Sequence, residues 1–310
     1  MKLLFIRFSS LGDTILLTGV LKEIKRAIPS AEIYVFTSDE FCDVFADLPF
    51  VDVVYGLRRK AFLSEVKSFA KTLPAFAHIF DFHGTSRSRY ACLFLKGQVH
   101  RYNKNALARR LYAIFRIKLP SLRKHVAERY METAAKALDI EMPSLEALRP
   151  FLRDKGKVCQ GKVVLHPFAS RNTKIWPYFA ELAGRLAQSG KEVYIIGQDR
   201  SLITEAVFVE TKSLSELFSF LSDAEYVVSG DSGPMHAACA LGVPLLAIFG
   251  GTTREFGFFP LFDNCTVVER EGLSCRPCDV HGLKSCPKEH FRCMREILPD
   301  EIMEKMGYGV

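Results

Sequence analysis

Apolar residues come in short runs, and the segments between them repeat at helical spacing. Residues 2–8 (Lys-Leu-Leu-Phe-Ile-Arg-Phe) predict a central strand, and Ser9-Ser10-Leu11-Gly12-Asp13 a loop. Ile15, Leu16, Val20, Leu21, Ile24 and Ile28 then mark one helix face, which Pro29 closes. Further strands are predicted at 33–36, 51–55 and 76–80, with helices over 39–47 and 61–72 between them. After Gly84 the pattern turns mostly helical, through 106–116 and 126–138. The stretch 139–160, with Pro143, Pro150 and the charged run from Arg153 to Lys157, has linker character. A second alternating series follows, with strands at 163–166, 193–196, 206–209, 226–229 and 245–249 and helices over 177–189, 213–222 and 234–241. Alternation of this kind is the pattern of parallel sheets covered on both faces. The predicted fold is α/β, with two Rossmann-like halves at 1–150 and 151–310.

The segment around residue 230 is the most informative. Tyr226-Val227-Val228-Ser229 leads into Gly230-Asp231-Ser232-Gly233-Pro234-Met235-His236, which reads as a strand, a tight turn and a capped helix start. Exposed N–H groups and the positive dipole end at such a start favour an anion such as a phosphate. A ligand-free capped turn reads the same way. Ligands of parallel sheets bind at the carboxyl ends of strands, which makes 9–13, 81–87, 166–174, 197–200, 230–236 and 250–253 the candidate loops.

Composition narrows the class. The 310 residues are 48% hydrophobic and 25% charged, as in an ordinary soluble protein, and long enough for two cores. No apolar run has the length of a membrane span, and the apolar start is cut short by Arg7, unlike a signal peptide. Nine cysteines, an odd number, fit a reducing compartment, so a cytoplasmic protein is expected. The net charge of +7 is uneven: residues 82–127 hold eleven Lys/Arg and no acid. That skew suggests an acidic partner, against the plainer alternative of a basic surface.

Several of these loops together resemble one family, the ADP-heptose:lipopolysaccharide heptosyltransferases. The similarity runs in order through Leu4-Phe5-Ile6-Arg7-Phe8-Ser9-Ser10-Leu11-Gly12-Asp13, Asp81-Phe82-His83-Gly84, Lys174-Ile175-Trp176-Pro177 and Asp231-Ser232-Gly233-Pro234-Met235-His236. It extends to the cysteine-rich segment from Cys275-Arg276-Pro277-Cys278 through Cys286 to Cys293. The resemblance implies a GT-B fold whose C-terminal half holds the nucleotide sugar and whose N-terminal half holds the acceptor. The last helix would be free to pack back on the N-terminal half. It also implies an inverting displacement with no cofactor and no obligatory metal.

On that resemblance Asp13 is the base for the acceptor hydroxyl, although its place before Thr14-Ile15 equally suits a helix cap. Lys174, otherwise one surface lysine among many, and the helix start at Ser232-Gly233 would stabilise the departing diphosphate, with Ser170 adding a hydroxyl. Asp231 and His236 would meet the sugar side of the donor, His236 being also a plausible packing residue. Asp199 or Glu205 would meet the ribose. Gly12, Asp13, His83, Arg87, Arg89 and Arg101 would receive the acidic inner core of lipopolysaccharide, lipid A bearing Kdo. The same basic stretch would favour peripheral contact with an anionic inner leaflet.

Three alternatives remain open on the residues. A transferase of this fold could use another nucleotide sugar or acceptor. A basic nucleic-acid-binding protein would need cations and aromatics interleaved around the cysteines, whereas 271–296 carries nearly balanced charge. Cys275, Cys278, Cys286 and Cys293 have zinc-ligand chemistry, but only the first pair has the CxxC spacing.

Overall fold

A computed structural model describes residues 1–153, 155–197, 205–260 and 263–308. The chain runs β1 (Lys2–Ile6), α1 (Leu11–Ala27), β2 (Glu32–Ser38), β3 (Val53–Leu57), α2 (Leu63–Thr72), β4 (His78–Asp81), α3 (Ser86–Cys92), β5 (Gln98–Arg101), α4 (Ala106–Phe115) and α5 (Val126–Leu138). It continues through β6 (Cys159–His166), α6 (Phe179–Gln188), β7 (Glu192–Ile196), β8 (Val207–Val209), α7 (Leu214–Ser222), β9 (Ala224–Gly230), α8 (Gly233–Ala240), β10 (Leu245–Phe249), β11 (Cys265–Glu269), α9 (Arg292–Arg295) and α10 (Pro299–Lys305). Two compact units result. One comprises Met1–Lys104, Val126–Arg153 and Ser213–Ser215, the other Asn105–His125, Asp154–Lys212 and Glu216–Val310.

The first unit holds a parallel sheet in the order β3-β2-β1-β4-β5. Its central strand β1 is apolar on both faces, and Leu3, Leu4, Phe5 and Ile6 are fully buried. That continuous run is what a strand covered by helices on two sides requires. Neighbours β2 and β4 flank β1 in register, with Ile6 opposite Phe36 on one side and Asp81 on the other. The order reverses at β1, so the loops after β1 and β4 border the crevice where such sheets bind ligands.

Helix α1 is buried along most of its length because residues 148–151 return across it. Phe151 N–H donates to Thr18 Oγ1 at 2.9 Å, and a Cβ at Gly19 would run into the backbone carbonyls of Leu148 and Arg149. We expect Gly19→Ala to lower the stability of this unit by about 1–3 kcal/mol despite alanine's better helix propensity. A urea unfolding curve followed on this unit checks it; an unchanged or raised midpoint would refute the close contact.

The second unit holds a parallel sheet in the order β11-β10-β9-β6-β7-β8. Its strand order reverses at β6, which pairs with β7 and with β9, placing His166 opposite Ser229. The core on one face joins Trp176, Phe179, Leu182 and Leu186 to Met294, Ile297, Ile302 and Met306. The final helix α10 is therefore part of this unit's own core and packs on α6.

Two strands depart from the sequence expectation. Gln98-Val99-His100-Arg101 forms β5 inside the stretch expected to be helical, and Cys265–Glu269 forms β11 beyond the strand expected to be last. Both are edge strands, polar or only part-buried, and lack the apolar run that marks a central strand. Residues 105–125, expected in the first half, pack in the second unit: Ala108, Tyr112 and Ala113 share a small core with Leu122 and Phe256. Six of the eleven cations of 82–127 thus belong to the second unit, not to the first.

Candidate active site

In the first unit, Asp13 is neither in a loop nor a helix cap. Helix α1 already begins at Leu11 with Ser10 as its N-cap, which puts Gly12 and Asp13 in the first turn. The Ser10 hydroxyl makes no capping bond and donates to Asp13 Oδ2 at 2.9 Å. Arg7, the residue directly after β1, places Nη2 2.6 Å from the same oxygen, with both side chains largely buried. From α5, Tyr130 donates its hydroxyl to Asp13 Oδ1 at 3.2 Å. Three donors thus hold one carboxylate in place.

Arg7 is itself fixed. Its Nη1 donates to Phe82 O at 2.6 Å, and Phe82 stacks on Tyr130 with ring centroids 4.6 Å apart. Burial opposes the Arg7 charge, but the Asp13 carboxylate and the Tyr130 and Tyr102 oxygens outweigh it, so the guanidinium pKa lies above its ordinary value. Burial also pushes the Tyr130 phenol well above its usual range, keeping it a proton donor at neutral pH. Neither Arg7 nor Tyr130 was among the sequence candidates. One signal was available for Arg7: a cation directly following four apolar strand residues.

The other acceptor candidates divide. His83 packs edge-on to Phe8, and its Nδ1 is buried with no hydrogen-bond partner among the described residues. Burial, then the Arg7 and Lys104 charges, pull its pKa down to about 4, so the ring is neutral. Arg87 donates to the backbone carbonyls of Arg58 and Arg59 and lies over the Phe8 ring, which engages it in loop packing. Arg101 Nε reaches the buried Asp81 carboxylate at 3.4 Å, while Asp81 Oδ1 accepts from Gly84 N–H at 2.8 Å and shapes the turn after β4. Arg89 is exposed on α3.

In the second unit, the loops after β6 and β9 come together. Lys174 Nζ lies 2.6 Å from Asp231 Oδ2, and Thr252 Oγ1 donates to the same oxygen at 2.8 Å. The approach is close: a Cβ at Gly230 would lie 2.7 Å from Lys174 O, which accounts for glycine there. Ser232 is the N-cap of α8 and Pro234 lies in its first turn, as expected, but the Ser232 hydroxyl does not cap. It sits 3.1 Å from His166 Nδ1 and 3.0 Å from Ser229 Oγ. His236 is buried in the first turn, and Ser170 is exposed on the 167–171 loop. Of the two ribose candidates, Asp199 lies outside the described residues, and Glu205 follows directly after that gap.

Burial pulls the His166 pKa down to about 4. The unfolded imidazole titrates near 6.5, so between these values the unfolded chain holds the extra proton and stability falls as pH is lowered. The loss from His166 should reach about 2 kcal/mol by about pH 5. His166→Gln should flatten the pH dependence of the urea midpoint across this window. A profile as steep as that of the parent chain would show that His166 is already protonated in the fold.

The match to known proteins decides the family. Residues 78–288, more than half of the chain, match the family model for glycosyltransferase family 9 (heptosyltransferase).

This chain belongs to glycosyltransferase family 9.

Among similar family 9 relatives is lipooligosaccharide heptosyltransferase 2 of Campylobacter jejuni, 24% identical over 95% of this chain and 94% of that protein. Lipopolysaccharide heptosyltransferase 1 of Pseudomonas aeruginosa is 26% identical over 90% of this chain and 86% of its own length. In fold, the chain is similar to an E. coli heptosyltransferase solved with ADP, at a TM-score of 0.75 and 21% identity over 99% of both chains. The two parallel sheets are those of the GT-B heptosyltransferase structures.

The cysteine-rich segment of this family 9 chain braces the Lys174 and Thr252 loops. Buried Arg276 donates from Nε to Gly250 O at 2.5 Å and from Nη2 to Thr252 O at 2.9 Å, and pairs with Glu269 at 2.9 Å. Cys278 N–H donates to Gly251 O at 2.9 Å, and Leu283 N–H to Thr173 Oγ1 at 2.7 Å. All nine cysteines are free thiols. Cys275 Sγ lies 3.9 Å from His290 Nε2, and burial with neighbouring thiols pushes Cys293 up to about 12. Among the described residues no group of three or more His, Cys, Asp or Glu side chains is arranged to hold a metal ion. Among them, too, no helix is long and apolar enough to cross a membrane.

Proposed function

We propose that this heptosyltransferase moves a heptose from ADP-heptose to the acidic inner core of lipopolysaccharide, lipid A bearing Kdo, with inversion at the anomeric carbon. The observation that carries this reading is the pair of charged clusters, one at the strand-order reversal of each sheet: Arg7–Asp13–Tyr130 after β1, and Lys174–Asp231 between the ends of β6 and β9. The relatives named for lipooligosaccharide and lipopolysaccharide, and the similar structure holding ADP, support the acceptor and the donor.

In this scheme Asp13 takes the proton of the acceptor hydroxyl as its oxygen attacks the anomeric carbon. The three donors hold and orient the carboxylate for the incoming hydroxyl. The bond to the diphosphate oxygen breaks, and the charge that develops there falls to Lys174 and to the α8 N-terminus at Ser232-Gly233. Lys174 is held by Asp231 before the donor arrives and exchanges that partner for phosphate oxygens. No metal is assigned a part in the scheme.

The test is transfer of label from ADP-heptose to lipid A bearing Kdo. Transfer from another nucleotide sugar, with none from ADP-heptose, would replace the donor assignment and leave the family standing. We also propose that the chain contacts the membrane surface peripherally, as a lipid-anchored acceptor requires, and works on the cytoplasmic side.

A further inference from the structure

Helix α4 is apolar on both faces. Ala108, Tyr112 and Ala113 turn inward onto Leu122 and Phe256, as a surface helix requires. The outward positions should then be polar, yet Leu107 is 72% exposed, Ile114 68% and Phe115 63%, and Ile117 just beyond the helix is 51% exposed. Leu107, Arg110 and Ile114 share one stripe at i, i+3 and i+7, and Phe115 stands beside it. A run of large exposed apolar side chains on one short element marks an interaction surface more than a scatter of single residues does.

The end of the helix is held rigidly, so this surface is not a fraying terminus. Arg116 takes a left-handed conformation at the C-cap, and its guanidinium donates to Ser274 O at 3.2 Å and Cys275 O at 3.0 Å. Lys118 pairs with Glu255 close by. Residues 105–127 carry six Lys/Arg and no acid, with Arg110 exposed among the apolar side chains. Apolar tips set among cations complement an anionic lipid surface: the apolar groups enter the boundary between headgroups and acyl chains while the cations meet phosphates.

We infer that the outer face of α4, through Leu107, Ile114, Phe115 and Ile117 with Arg110 beside them, is the element by which this protein inserts into an anionic bilayer surface. This goes beyond a basic patch attracted by charge alone. It fits the lipid-anchored acceptor proposed above, although binding to the bilayer can be measured with neither donor nor acceptor present.

The test uses the full chain and vesicles of phosphatidylglycerol with phosphatidylethanolamine, set against phosphatidylcholine. Sedimentation should show binding to the anionic vesicles, part of it surviving high salt. The triple variant Leu107→Ser, Ile114→Ser, Phe115→Ser should bind at least about tenfold more weakly, with an unchanged circular dichroism spectrum. A Phe115→Trp variant should shift its emission to the blue on adding anionic vesicles, against the steady background of buried Trp176. Equal binding by the triple variant, no blue shift, or no vesicle binding by the parent chain would each overturn the inference. So would light scattering that showed the triple substitution splitting an oligomer with no effect on lipid, which would make this face a contact between copies. Transfer to a deacylated, water-soluble acceptor is measured in parallel. Its failure would count against the acceptor assignment, not against the membrane surface.

Discussion

Asp13→Asn is expected to lower kcat for heptose transfer by about 10²–10⁴-fold while donor affinity stays near that of the parent chain. Asparagine keeps the shape: its one amide oxygen can accept from Ser10 and Arg7 while its NH2 donates to the Tyr130 hydroxyl, so geometry is largely preserved. What disappears is the carboxylate proposed to receive the proton of the attacking hydroxyl. The substitution also leaves the Arg7 guanidinium buried with no carboxylate, which costs stability. A thermal melt must therefore accompany the kinetics, and only turnover per folded molecule counts. Retention of full kcat by a folded Asp13→Asn variant would remove Asp13 from proton transfer and leave it as the anchor of Arg7.

Lys174→Ala should cost about 10²–10³-fold in kcat/KM, much of it in the step that releases the diphosphate. The pairing with Asp231 adds a finer expectation. The two charges of the pair cancel, so deleting the lysine leaves Asp231 as an uncompensated anion where the diphosphate is proposed to bind. The double variant Lys174→Ala, Asp231→Asn should therefore bind ADP more tightly than Lys174→Ala alone, though it transfers no faster than the parent chain. Calorimetric titration with ADP checks this. Weaker binding by the double variant than by the single one would mean that Asp231 contacts the donor directly and favourably.

Much of this site was legible in the chain because it lies next to central strands. β1, β6, β9 and β10 are apolar runs, and the segments that follow their carboxyl ends carry Asp13, Lys174 and Asp231. The edge strands β5 and β11 were not legible, since a strand with one neighbour has no need of continuous apolar residues. The partners of the site residues were hidden for a different reason. Tyr130 reaches Asp13 across 117 residues of sequence, and Leu283 reaches Thr173 across 110. Periodicity carries no information on contacts of that range. The helix cap was misplaced on a finer scale: Ser9-Ser10 and Asp13 all suit an N-terminus by residue type, and only the backbone shows Ser10 in that role. The placement of α4 was missed because its apolar residues lie all round, so the pattern alone names no single inward face.

Trp176, two residues after Lys174, donates its indole N–H to Ile297 O at 2.9 Å, and its ring is packed in the core that α10 completes. During synthesis this gives the two sheets different schedules. The β1–β5 sheet, Tyr130 and the 148–151 return are all made before β6, and that sheet can close before Ser213–Ser215, the last piece of its unit, is made. The lysine-bearing turn has no such independence: its tryptophan waits for a carbonyl 121 residues further along the chain. A nascent chain stalled before Ile297 would carry the Arg7–Asp13–Tyr130 cluster finished and the Lys174 turn without its anchor.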